Sequence, residues 1–495
     1  MSYFNHIPCG DTLPLNNPHA ISVSLPTISD VCGYEENNEA LVSKLKSAYP
    51  RFRMNKLVKQ VYDYFSEKIA LSPDSELVPV CSMSAVSLIE RTIGINLECL
   101  SQDDFHFVKI KKNSHHISAI KHLIQHTGLI PSSRRAEIFL YDNRIAVNKF
   151  TEEIETTDPE QRICTTLAEA YGNTTPENVY LCNTGMNAMF SVFEALRIAQ
   201  KKNKSIFVQL GWLYLDTMET IKKYSDESHT ILNIGNLDEL ENWLKLNHNQ
   251  IAAVITELPL NPQIKVIDLP LLSSLAKKYD FPVVIDATMA TPYNVETLKY
   301  ADIIVESLTK FASGNADLLM GAVILKNNND ICDMIKDQLT EIIEKPFIAD
   351  IQRLAASIKG YCGRVKVISD NTYGLIHELH KFKSITSIQS AICNDSIRNF
   401  EKIRKGESCL PGVISITFDK ALQYYYDKLK LPKGPSFGTE FTLAMPYIYM
   451  AHYDLLQSQA GRNHLAMLDI HPDLLRISVG IEPLEELIEV FAEIL

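Results

Sequence analysis

Short apolar segments in the middle of the chain constrain the fold more than any other feature of the sequence. Each is five or six residues long and rich in Val and Ile, and they lie at 178–182, 205–209, 229–234, 251–256, 281–286, 302–307 and 320–325. Segments of this length and composition are typical of strands that are buried on both faces. Helix-length amphipathic segments such as 269–280 separate several of them. This alternation predicts a mostly parallel sheet with helices on both sides.

The rest of the chain predicts three further parts around this α/β domain. Residues 1–52 are rich in Pro, Asn and Ser and predict an N-terminal arm, whereas 53–127 mix helical and strand patterns and predict a small α/β insert. The large domain then spans 128–355. Beyond it, long helices are followed by strands, which predicts a smaller α+β domain at 356–495 that packs tightly on the large one.

Charge and hydropathy exclude several classes of function. The chain has 48 Lys and Arg against 60 Asp and Glu, a net charge of −12, which argues against nucleic acid as a partner because phosphate binding needs a basic face. No stretch approaches about 18 uncharged apolar residues, so no membrane span is predicted. The first residues lack the basic and apolar regions of a secretory signal, which favours a cytoplasmic protein.

The metal-binding residue types also lack a site pattern. The ten cysteines are scattered without a CxxC pair, which is typical of free thiols. Four histidines cluster in the predicted insert, at His115, His116, His122 and His126, but their spacing matches no convincing ligand pattern. A solvated helix or a subunit contact explains them better, and no metal is predicted.

Two ionisable residues follow predicted strands and are ambiguous when taken alone. Lys310 follows the segment 302–307, where partial burial would lower the pKa of its amine as Schiff-base chemistry requires, although a lone lysine there is more often a surface residue. Asp286 ends a strongly apolar strand. Its carboxylate can pair with a cation such as a protonated ring nitrogen, or can simply cap a helix or bind a metal.

Two further elements follow other predicted strands. Gly185 and Met186 open a helix directly after 178–182, where backbone N–H groups form an anion site, or where Gly simply permits the turn. Asn261 in ELPLNP can donate to a ring oxygen, or can belong to an ordinary Pro-bounded turn. Together with Lys310 and Asp286, these elements fall at the carboxyl ends of strands in one sheet, where such sheets bind ligands.

Taken together, these motifs resemble the Cys/Met-metabolism family of enzymes that use pyridoxal phosphate (PLP), with 24 positions from Asp286 to Lys310 and a likeness over roughly 130–495. Within that family the chain is most similar to the fungal-type cystathionine γ-synthases. The similarity is carried by PHAISVSLPT (18–27), GYEE (33–36), YPRF (49–52), QHTGLIPSSRRAE (125–137), GWLYLDT (211–217), SLTKFASG (307–314) and GPSFGTEFTLAMPY (434–447). The resemblance implies the type I, aminotransferase-like PLP transferase fold.

The resemblance implies roles for individual residues. Lys310 matches the lysine that holds PLP covalently and then shuttles protons, and Asp286 matches the acid beneath the ring nitrogen. Asn261 matches the asparagine near the ring oxygen. Of the residues that bind the phosphate, the backbone pair is matched by Gly185 and Met186.

The resemblance also covers the other phosphate ligands and the substrate. Ser307 and Thr309 match the hydroxyls that bind the phosphate. Arg476, in LLRISVGIE (474–482), matches the arginine that binds the substrate carboxylate in a bidentate fork. Ser436 matches a serine beside the lysine and the substrate.

One departure from the family concerns the aromatic residue over the PLP ring. The family has Tyr-Gly-Gly-Thr, with the tyrosine stacked on the ring, and here Leu210 stands where a direct alignment places that tyrosine. Trp212 or Tyr214 must then cover the ring. We favour Tyr214, because its hydroxyl could also assist protonation of the leaving group.

A second departure concerns the family's Tyr-x-Arg, which a neighbouring subunit donates to the phosphate. Tyr49-Pro-Arg51 fits the letters of this motif. Arg134 fits its position ahead of the Gly-Met pair better, and we favour Arg134.

The predicted function is PLP-dependent γ-replacement on an O-acylhomoserine with a thiol such as cysteine, giving cystathionine. A γ- or β-lyase of cystathionine or methionine, or a γ-replacement enzyme with a different nucleophile, remains open because these share every PLP residue. An inactive homologue with a binding role is disfavoured since both Lys310 and Asp286 are present. A nicotinamide oxidoreductase is disfavoured because no G-x-G-x-x-G follows a strand. The family implies a homodimer or homotetramer.

Overall fold

The computed structural model describes residues 4–200, 204–393 and 395–495, so the first three residues of the predicted arm lie outside the described part. The described residues form a two-stranded, a three-stranded, a seven-stranded and a four-stranded sheet. Short 3-10 segments occur at Pro176–Asn178, His248–Gln250 and Ile358–Gly360. No helix in these ranges has the length and apolar composition needed to cross a bilayer.

The N-terminal arm packs against both larger domains. Its elements are β1 (Thr12–Leu13), β2 (Ser22–Val23), α1 (Ile28–Glu35) and α2 (Glu39–Val42). Helix α1 begins where Thr27 and Asp30 form a capping box, in which each side chain accepts a hydrogen bond from the other residue's backbone N–H. Val23 and Leu25 are completely buried in the main apolar core, so the arm is held in place by packing as well as by backbone bonds.

The insert is an antiparallel sheet with helices on both faces. Its elements are α3 (Lys56–Lys68), β3 (Ser75–Val80), α4 (Met83–Ile93), β4 (Glu98–Gln102), β5 (Phe105–Lys111), α5 (Ile117–Thr127) and α6 (Ser133–Asp142), with strand order β3-β5-β4. Consecutive residues of β5 face different apolar clusters: Phe107 packs toward α3 and α6, and Val108 toward α4 and α5. The apolar cluster that contains Phe107 extends to Leu140, beyond the C-terminal boundary of the insert that the sequence predicted at 127.

The large domain is built on the seven-stranded sheet. Its elements are α7 (Pro159–Tyr171), β6 (Val179–Cys182), α8 (Gly185–Gln200), β7 (Ile206–Leu210), α9 (Leu215–Tyr224), β8 (Glu227–Ile231), α10 (Asp238–Asn247), β9 (Ile251–Glu257), α11 (Leu269–Tyr279), β10 (Val283–Asp286), α12 (Thr291–Asn294), α13 (Thr297–Tyr300), β11 (Ile303–Ser307), β12 (Gly321–Leu325), α14 (Asp330–Ile342) and α15 (Ile348–Ser357). The strand order is β6-β12-β11-β10-β9-β7-β8, and only β12 runs antiparallel to the rest. The prediction of a mostly parallel sheet is therefore confirmed, with a strand in each of the seven apolar segments.

The C-terminal part folds around an antiparallel sheet, as predicted. Its elements are α16 (Tyr361–Leu379), β13 (Ile385–Gln389), α17 (Ser396–Phe400), β14 (Val413–Phe418), α18 (Leu422–Tyr426), β15 (Leu443–Pro446), α19 (Tyr447–Ala451), α20 (Tyr453–Leu456), α21 (Gln459–Met467), β16 (Leu475–Ser478) and α22 (Leu484–Ala492). The strand order is β13-β14-β16-β15. Ile414 and Ile477 belong to the same apolar core as the large sheet, so the two domains are tightly packed.

Candidate active site

A cavity of about 460 Å³ lies at the carboxyl edge of the large sheet, where the parallel strands β6, β7, β9, β10 and β11 end. The large domain supplies what we call the sheet wall: Gly185, Met186, Asp286, Ser307, Thr309 and Lys310. The N-terminal arm supplies what we call the arm wall: Tyr34, Glu35, Asn37, Tyr49, Arg51, Phe52 and Arg53. The site residues predicted from the sequence outside the sheet wall that also line the cavity are Tyr214, Asn261, Ser436 and Arg476. Arg134 is the one that does not.

Lys310 lies three residues beyond β11 and its side chain is buried in the cavity wall. Its Nζ donates to Ser436 Oγ at 2.7 Å and to the Tyr49 hydroxyl at 3.3 Å. No carboxylate of a described residue lies within 4.0 Å of it. Burial lowers the pKa of this amine, Tyr49 partly opposes that effect, and Arg476 adds to it. The amine is therefore easier to deprotonate than an exposed lysine, which suits a nucleophile and a base.

Ser436, which contacts Lys310, has a strained backbone. Its φ of +91° lies in the region that non-glycine residues rarely adopt. Strained backbone of this kind persists where the surrounding structure fixes it, and it occurs preferentially at functional sites. Here it holds the Ser436 hydroxyl against Lys310 while the Ser436 carbonyl accepts a hydrogen bond from Arg476.

The N-terminus of helix α8 faces the cavity at the end of β6. A Cβ on Gly185 would lie 2.7 Å from Ser307 Cβ, so only glycine lets the helix start approach the end of β11 this closely. The Thr184 hydroxyl accepts from Asn187 N–H at 3.0 Å, which leaves the first N–H groups of the helix to bind an anion. Gly185 and Met186 thus lie together with the Ser307 side chain, as predicted for a phosphate site.

Two carboxyl groups, buried at Glu257 and half-buried at Asp286, end neighbouring parallel strands, since Asp286 pairs in register with Glu257. Burial raises the pKa of Asp286, although Thr288, whose N–H donates to Asp286 Oδ1 at 2.9 Å, partly opposes the rise. Burial and the nearby Asp286 also raise the pKa of Glu257 well above its ordinary value. Neither carboxyl has a cation of a described residue within 4.0 Å. A positively charged ring nitrogen at Asp286 would complete this arrangement electrostatically.

Arg476, in β16, is a buried cation without an acidic partner among the described residues. One Nη donates to the Ser436 carbonyl at 2.7 Å and the other to Asn261 Oδ1 at 3.4 Å. Its guanidinium carbon lies 5.1 Å from the Phe437 ring centroid and 5.0 Å from that of Tyr447. Burial lowers the pKa of Arg476 to about 10, so the group is still charged at neutral pH. An unpaired buried arginine is suited to binding an anionic ligand.

Arg51 joins the arm wall to the large domain through a buried ion pair. One Nη lies 2.5 Å from Asp216 Oδ2 and 3.2 Å from the Gln125 carbonyl, and the other donates to the Tyr214 hydroxyl. The opposite oxygen of Asp216 accepts from His126 Nδ1 and from Gln125 Nε2, each at 3.0 Å. Burial acts to raise the pKa of Asp216, but Arg51 and His126 outweigh it and the pKa is lowered. Asp216 is therefore an ionised residue that positions Arg51 at Tyr214.

The two aromatic residues predicted as alternatives, Tyr214 and Trp212, lie in different places. Tyr214 lines the cavity, whereas Trp212 packs in a separate apolar cluster against His452 and His464. A signal for this was present in the sequence. Tyr214 and Thr217 have the spacing of the tyrosine and the threonine in Tyr-Gly-Gly-Thr, four residues later than the alignment that placed Leu210 there.

The prediction for Arg134 is corrected by the structure. Arg134, in α6, is 2% exposed and forms two 2.6 Å hydrogen bonds to Glu152 and one of 2.9 Å to Asp350. It also donates to the Asp317 carbonyl at 2.8 Å. Its guanidinium is thus fully engaged inside its own chain and does not reach the cavity. The alternative motif, Tyr49 to Arg51, lies at the cavity of the same chain.

Several cavity residues were not singled out from the sequence. Glu35 and Arg53 lie in or beside the quoted motifs GYEE and YPRF, but single residues in an arm gave no chemical signal. Asp216 lies in the quoted motif GWLYLDT. Among the histidines of the insert, His126 turned out to be a buried partner of that aspartate. No group of three or more His, Cys, Asp or Glu side chains in the described ranges is arranged to hold a metal ion.

The chain is similar to a family of known enzymes, to individual relatives and to solved structures. Residues 160–495 match the family model described as Cys/Met metabolism PLP-dependent enzyme. The chain is 32% identical to an L-2-amino-4-chloropent-4-enoate dechlorinase/desaturase of Streptantibioticus cattleyicolor, over 96% of each chain. It is 26% identical to the cystathionine gamma-synthase of Neurospora crassa, over 98% of this chain and 97% of that one. A cystathionine gamma synthase from Xanthomonas oryzae, solved in complex with cystathionine, superimposes with a TM-score of 0.59 at 19% identity, covering 70% of this chain and 89% of that chain.

Proposed function

Because the chain belongs to the Cys/Met metabolism family of PLP-dependent enzymes, we propose that it catalyses γ-replacement on an O-acylhomoserine with a thiol nucleophile. With cysteine as the thiol, the product is cystathionine. The near full-length similarity to a fungal cystathionine gamma-synthase supports this choice of reaction. The superposition on a solved cystathionine gamma synthase with a TM-score of 0.59 agrees with the type I PLP transferase fold predicted from the sequence.

The residues of the sheet wall fit PLP. Among the described residues, the Lys310 amine has no acidic partner and the half-buried Asp286 carboxyl has no cationic one, and helix α8 begins at Gly185 with free N–H groups for an anion. These are the chemical complements of an aldehyde, a ring nitrogen and a phosphate. When bound, PLP supplies an electron-accepting ring that stabilises negative charge at the substrate α-carbon. We assign covalent attachment to Lys310 and the ring nitrogen to Asp286.

The remaining cofactor contacts are assigned on the same basis. Gly185 and Met186 bind the phosphate through backbone N–H groups, and Ser307 and Thr309 contribute hydroxyls. Thr309 Oγ1 also exchanges hydrogen bonds with the backbone of Met320, which fixes its orientation. Asn261, whose Nδ2 donates to the Tyr447 hydroxyl at 3.0 Å, would hold the ring oxygen.

The observation that carries the proposal is that Lys310 and Arg476 both bind Ser436. Lys310 donates to its hydroxyl and Arg476 to its carbonyl, each at 2.7 Å. A substrate whose α-carboxylate binds Arg476 therefore presents its α-carbon to the Lys310 amine. That placement is what proton transfer at the α-carbon requires.

The same geometry defines what the chain's side chains do during γ-replacement. Lys310 Nζ accepts the proton from Cα and then moves a proton at Cβ, which allows the bond from Cγ to the acyl oxygen to break. The acyl group leaves as a carboxylate. The thiol sulfur then bonds to Cγ as its proton is lost, and the protons return to Cβ and Cα. The Tyr214 hydroxyl lines the cavity and accepts a hydrogen bond from Arg51, so its own proton is free to be donated to the leaving group.

A second candidate is elimination without replacement, as in a γ- or β-lyase. The specific observation in its favour is the relative at 32% identity, whose name places a leaving chlorine on C4, the γ-carbon of its amino acid. Loss of a γ-substituent is the step that γ-elimination and γ-replacement share. The fate of the substrate after that loss is what separates them.

Mass spectrometry of the reaction products tests the proposal. PLP-loaded protein is mixed with O-acetyl- or O-succinyl-L-homoserine and cysteine, with Lys310→Ala as the control. Cystathionine as the main product supports γ-replacement. A keto acid without cystathionine overturns it in favour of a lyase. Chloride release from a γ-chloro amino acid, with no reaction of either O-acylhomoserine, overturns it in favour of elimination.

We also propose an oligomeric state and a cellular location for the protein. We expect a homodimer or homotetramer, which sedimentation at the concentration of the activity assay would establish. A cytoplasmic location is expected from the sequence, and fractionation of the source cells would test it.

A further inference from the structure

The cavity extends beyond the proposed reaction centre to the end of helix α1. Tyr34 and Glu35 are the last two residues of that helix, and both line the cavity together with Arg53. The turn that follows Tyr49 connects the two regions. Tyr49 contacts Lys310 through its hydroxyl, and its carbonyl accepts from Arg53 N–H at 3.1 Å.

Arg53 is held rigidly in this outer region but is not neutralised. One Nη donates to the Tyr34 carbonyl at 2.5 Å and to Asn37 Oδ1 at 2.9 Å, and the guanidinium carbon lies 4.4 Å from the Tyr34 ring centroid. No carboxylate lies within 4.0 Å of it, and its Nε and other Nη make no hydrogen bond, as far as the described ranges show. The Nε–H and the N–H groups of the other Nη thus remain to donate to an anionic ligand, so a carboxylate can form a charge-assisted hydrogen bond with this guanidinium.

Glu35 is the complementary charge in the same outer region. Its carboxyl accepts no hydrogen bond from a described residue, and it lies more than 4.0 Å from the Arg53 nitrogens. Burial raises the pKa of Glu35 to about 7, and Arg53 offsets only part of that effect. The negative end of the α1 dipole lies here too, so a cation at this position is doubly favoured.

We propose that Glu35 and Arg53 form a second subsite, which binds the α-amino-acid head group of the nucleophile and of the corresponding half of the product. The inference rests on the proposed function. The α-ammonium binds Glu35 and the α-carboxylate binds Arg53. With Arg476 at the inner end, the cavity then has one carboxylate-binding arginine for each amino-acid half of a molecule such as cystathionine. Opposite charges that share a cavity wall without pairing are suited to a dipolar ligand.

Calorimetry with four matched ligands tests the subsite without turnover. The protein is PLP-loaded Lys310→Ala, which binds ligand but does not process it. The ligands share one L-homocysteine half and differ at the outer end: L-cystathionine carries both charged groups, S-(2-carboxyethyl)-L-homocysteine only the carboxylate, S-(2-aminoethyl)-L-homocysteine only the amine, and S-propyl-L-homocysteine neither.

Each arm substitution should affect only the ligands that carry its partner group. Arg53→Met, which keeps the apolar contact with Tyr34, should weaken cystathionine and the carboxyethyl ligand by about 10- to 100-fold and leave the aminoethyl ligand unchanged. Glu35→Gln should do the converse. The propyl ligand should bind equally in all cases, and this result also verifies that each variant is folded.

If the Lys310→Ala protein with Glu35 and Arg53 unchanged binds all four ligands with equal affinity, the proposed subsite is wrong. Equal weakening of all four by either substitution would also overturn it, because that is the effect of a purely structural residue. The result is separable from the proposed function. Formation of cystathionine without these ligand-specific effects removes the subsite alone, whereas ligand-specific effects without any γ-replacement remove the proposed reaction alone.

Discussion

The sheet wall and the arm wall face the same cavity but are held in place by different forces. Each residue of the sheet wall lies at or within three residues of a strand or helix end of the large domain, whose strands are buried on both faces. The arm wall is joined to the large domain by side-chain bonds between residues far apart in sequence. Arg51 and Asp216 are 165 positions apart, and Tyr49 and Lys310 are 261 apart. We therefore propose that the reactive groups belong to the rigid core and that the arm adds selectivity.

Both walls come from one chain. The family resemblance predicted that a neighbouring subunit would contribute the tyrosine and arginine, yet Tyr49 and Arg51 line the cavity of their own chain. The Asp216 carboxylate, which receives Arg51, belongs to helix α9 of the same chain. The chain therefore supplies both walls of the cavity, and we predict that each chain completes its own site.

The largest expected effect comes from breaking the sheet wall at Lys310. Lys310→Ala should lower kcat by about 10⁴-fold or more, the magnitude typical of losing a residue that acts directly on the reacting atoms. Lys433→Ala is the matched control. Lys433 is also buried, with its pKa lowered to about 8 by burial, but it donates to the carbonyls of Pro26 and Tyr426 and does not line the cavity. Steady-state kinetics corrected for the folded fraction should show an almost unchanged kcat for Lys433→Ala.

The next prediction distinguishes Arg51 from Arg134, the two candidates for the arginine of the family's Tyr-x-Arg motif. Arg51→Lys keeps the positive charge near Asp216 but loses the second terminal nitrogen, which donates to the Tyr214 hydroxyl. Because Tyr214 loses this partner, kcat/KM should fall about 10- to 100-fold. Arg134→Lys should leave kcat/KM unchanged and instead lower the free energy of unfolding by about 1–3 kcal/mol, since it leaves buried carboxylate oxygens unpaired. Kinetics and urea unfolding of the same preparations check both. A loss of kcat/KM in Arg134→Lys alone would reverse the assignment.

The smallest expected effect is a pH dependence of stability that comes from Glu306, the residue before Ser307 in β11. Burial raises the pKa of Glu306 to about 7, although the hydroxyls of Tyr171 and Tyr361, at 2.6 and 2.8 Å, partly oppose the rise. Because the folded-state pKa is above the unfolded value, the stabilisation is fully present below pH 4.5 and is lost as the pH rises through 7. The unfolding free energy of the wild type relative to Glu306→Gln should fall by about 1–3 kcal/mol between pH 5 and pH 8.

The arm wall offers the contrast for this titration. Glu35 also has its pKa raised to about 7, but it faces the cavity and is only partly buried. Its substitution by Gln should change the pH dependence of unfolding much less than Glu306→Gln. A larger change for Glu35→Gln in urea unfolding at the two pH values would contradict the picture of a rigid core and an accessible arm.

The sheet wall was predictable from the sequence for a physical reason. The strands that carry it are parallel, so residues that follow them meet at one edge whatever their separation along the chain. Asp286 at the end of β10 and Lys310 after β11 lie close together for this reason. The family motifs then supplied roles for these residues that strand patterns alone could not.

The arm wall was not predictable in the same way. The residue types of the family's Tyr-x-Arg motif favoured Arg51, whereas the position of that motif along the chain favoured Arg134. Neither criterion predicts the direction of a guanidinium group in the folded protein. Arg134 is drawn to acidic residues from three separate segments, Glu152, Asp317 and Asp350. Such clusters arise only when the chain is folded. The choice of Tyr214 over Trp212 similarly depends on the direction of a turn after β7.

Mixing two damaged chains tests most directly the claim that each chain completes its own site. Lys310→Ala, with an intact arm, and Arg51→Ala, with an intact sheet wall, are co-expressed with different tags, and the mixed oligomer is isolated and assayed. Completion within one chain predicts that the mixture is no more active than the Arg51→Ala protein alone. Recovery of about half of the wild-type activity per mixed dimer would show that the arm of one chain serves the sheet wall of another, and would contradict the account.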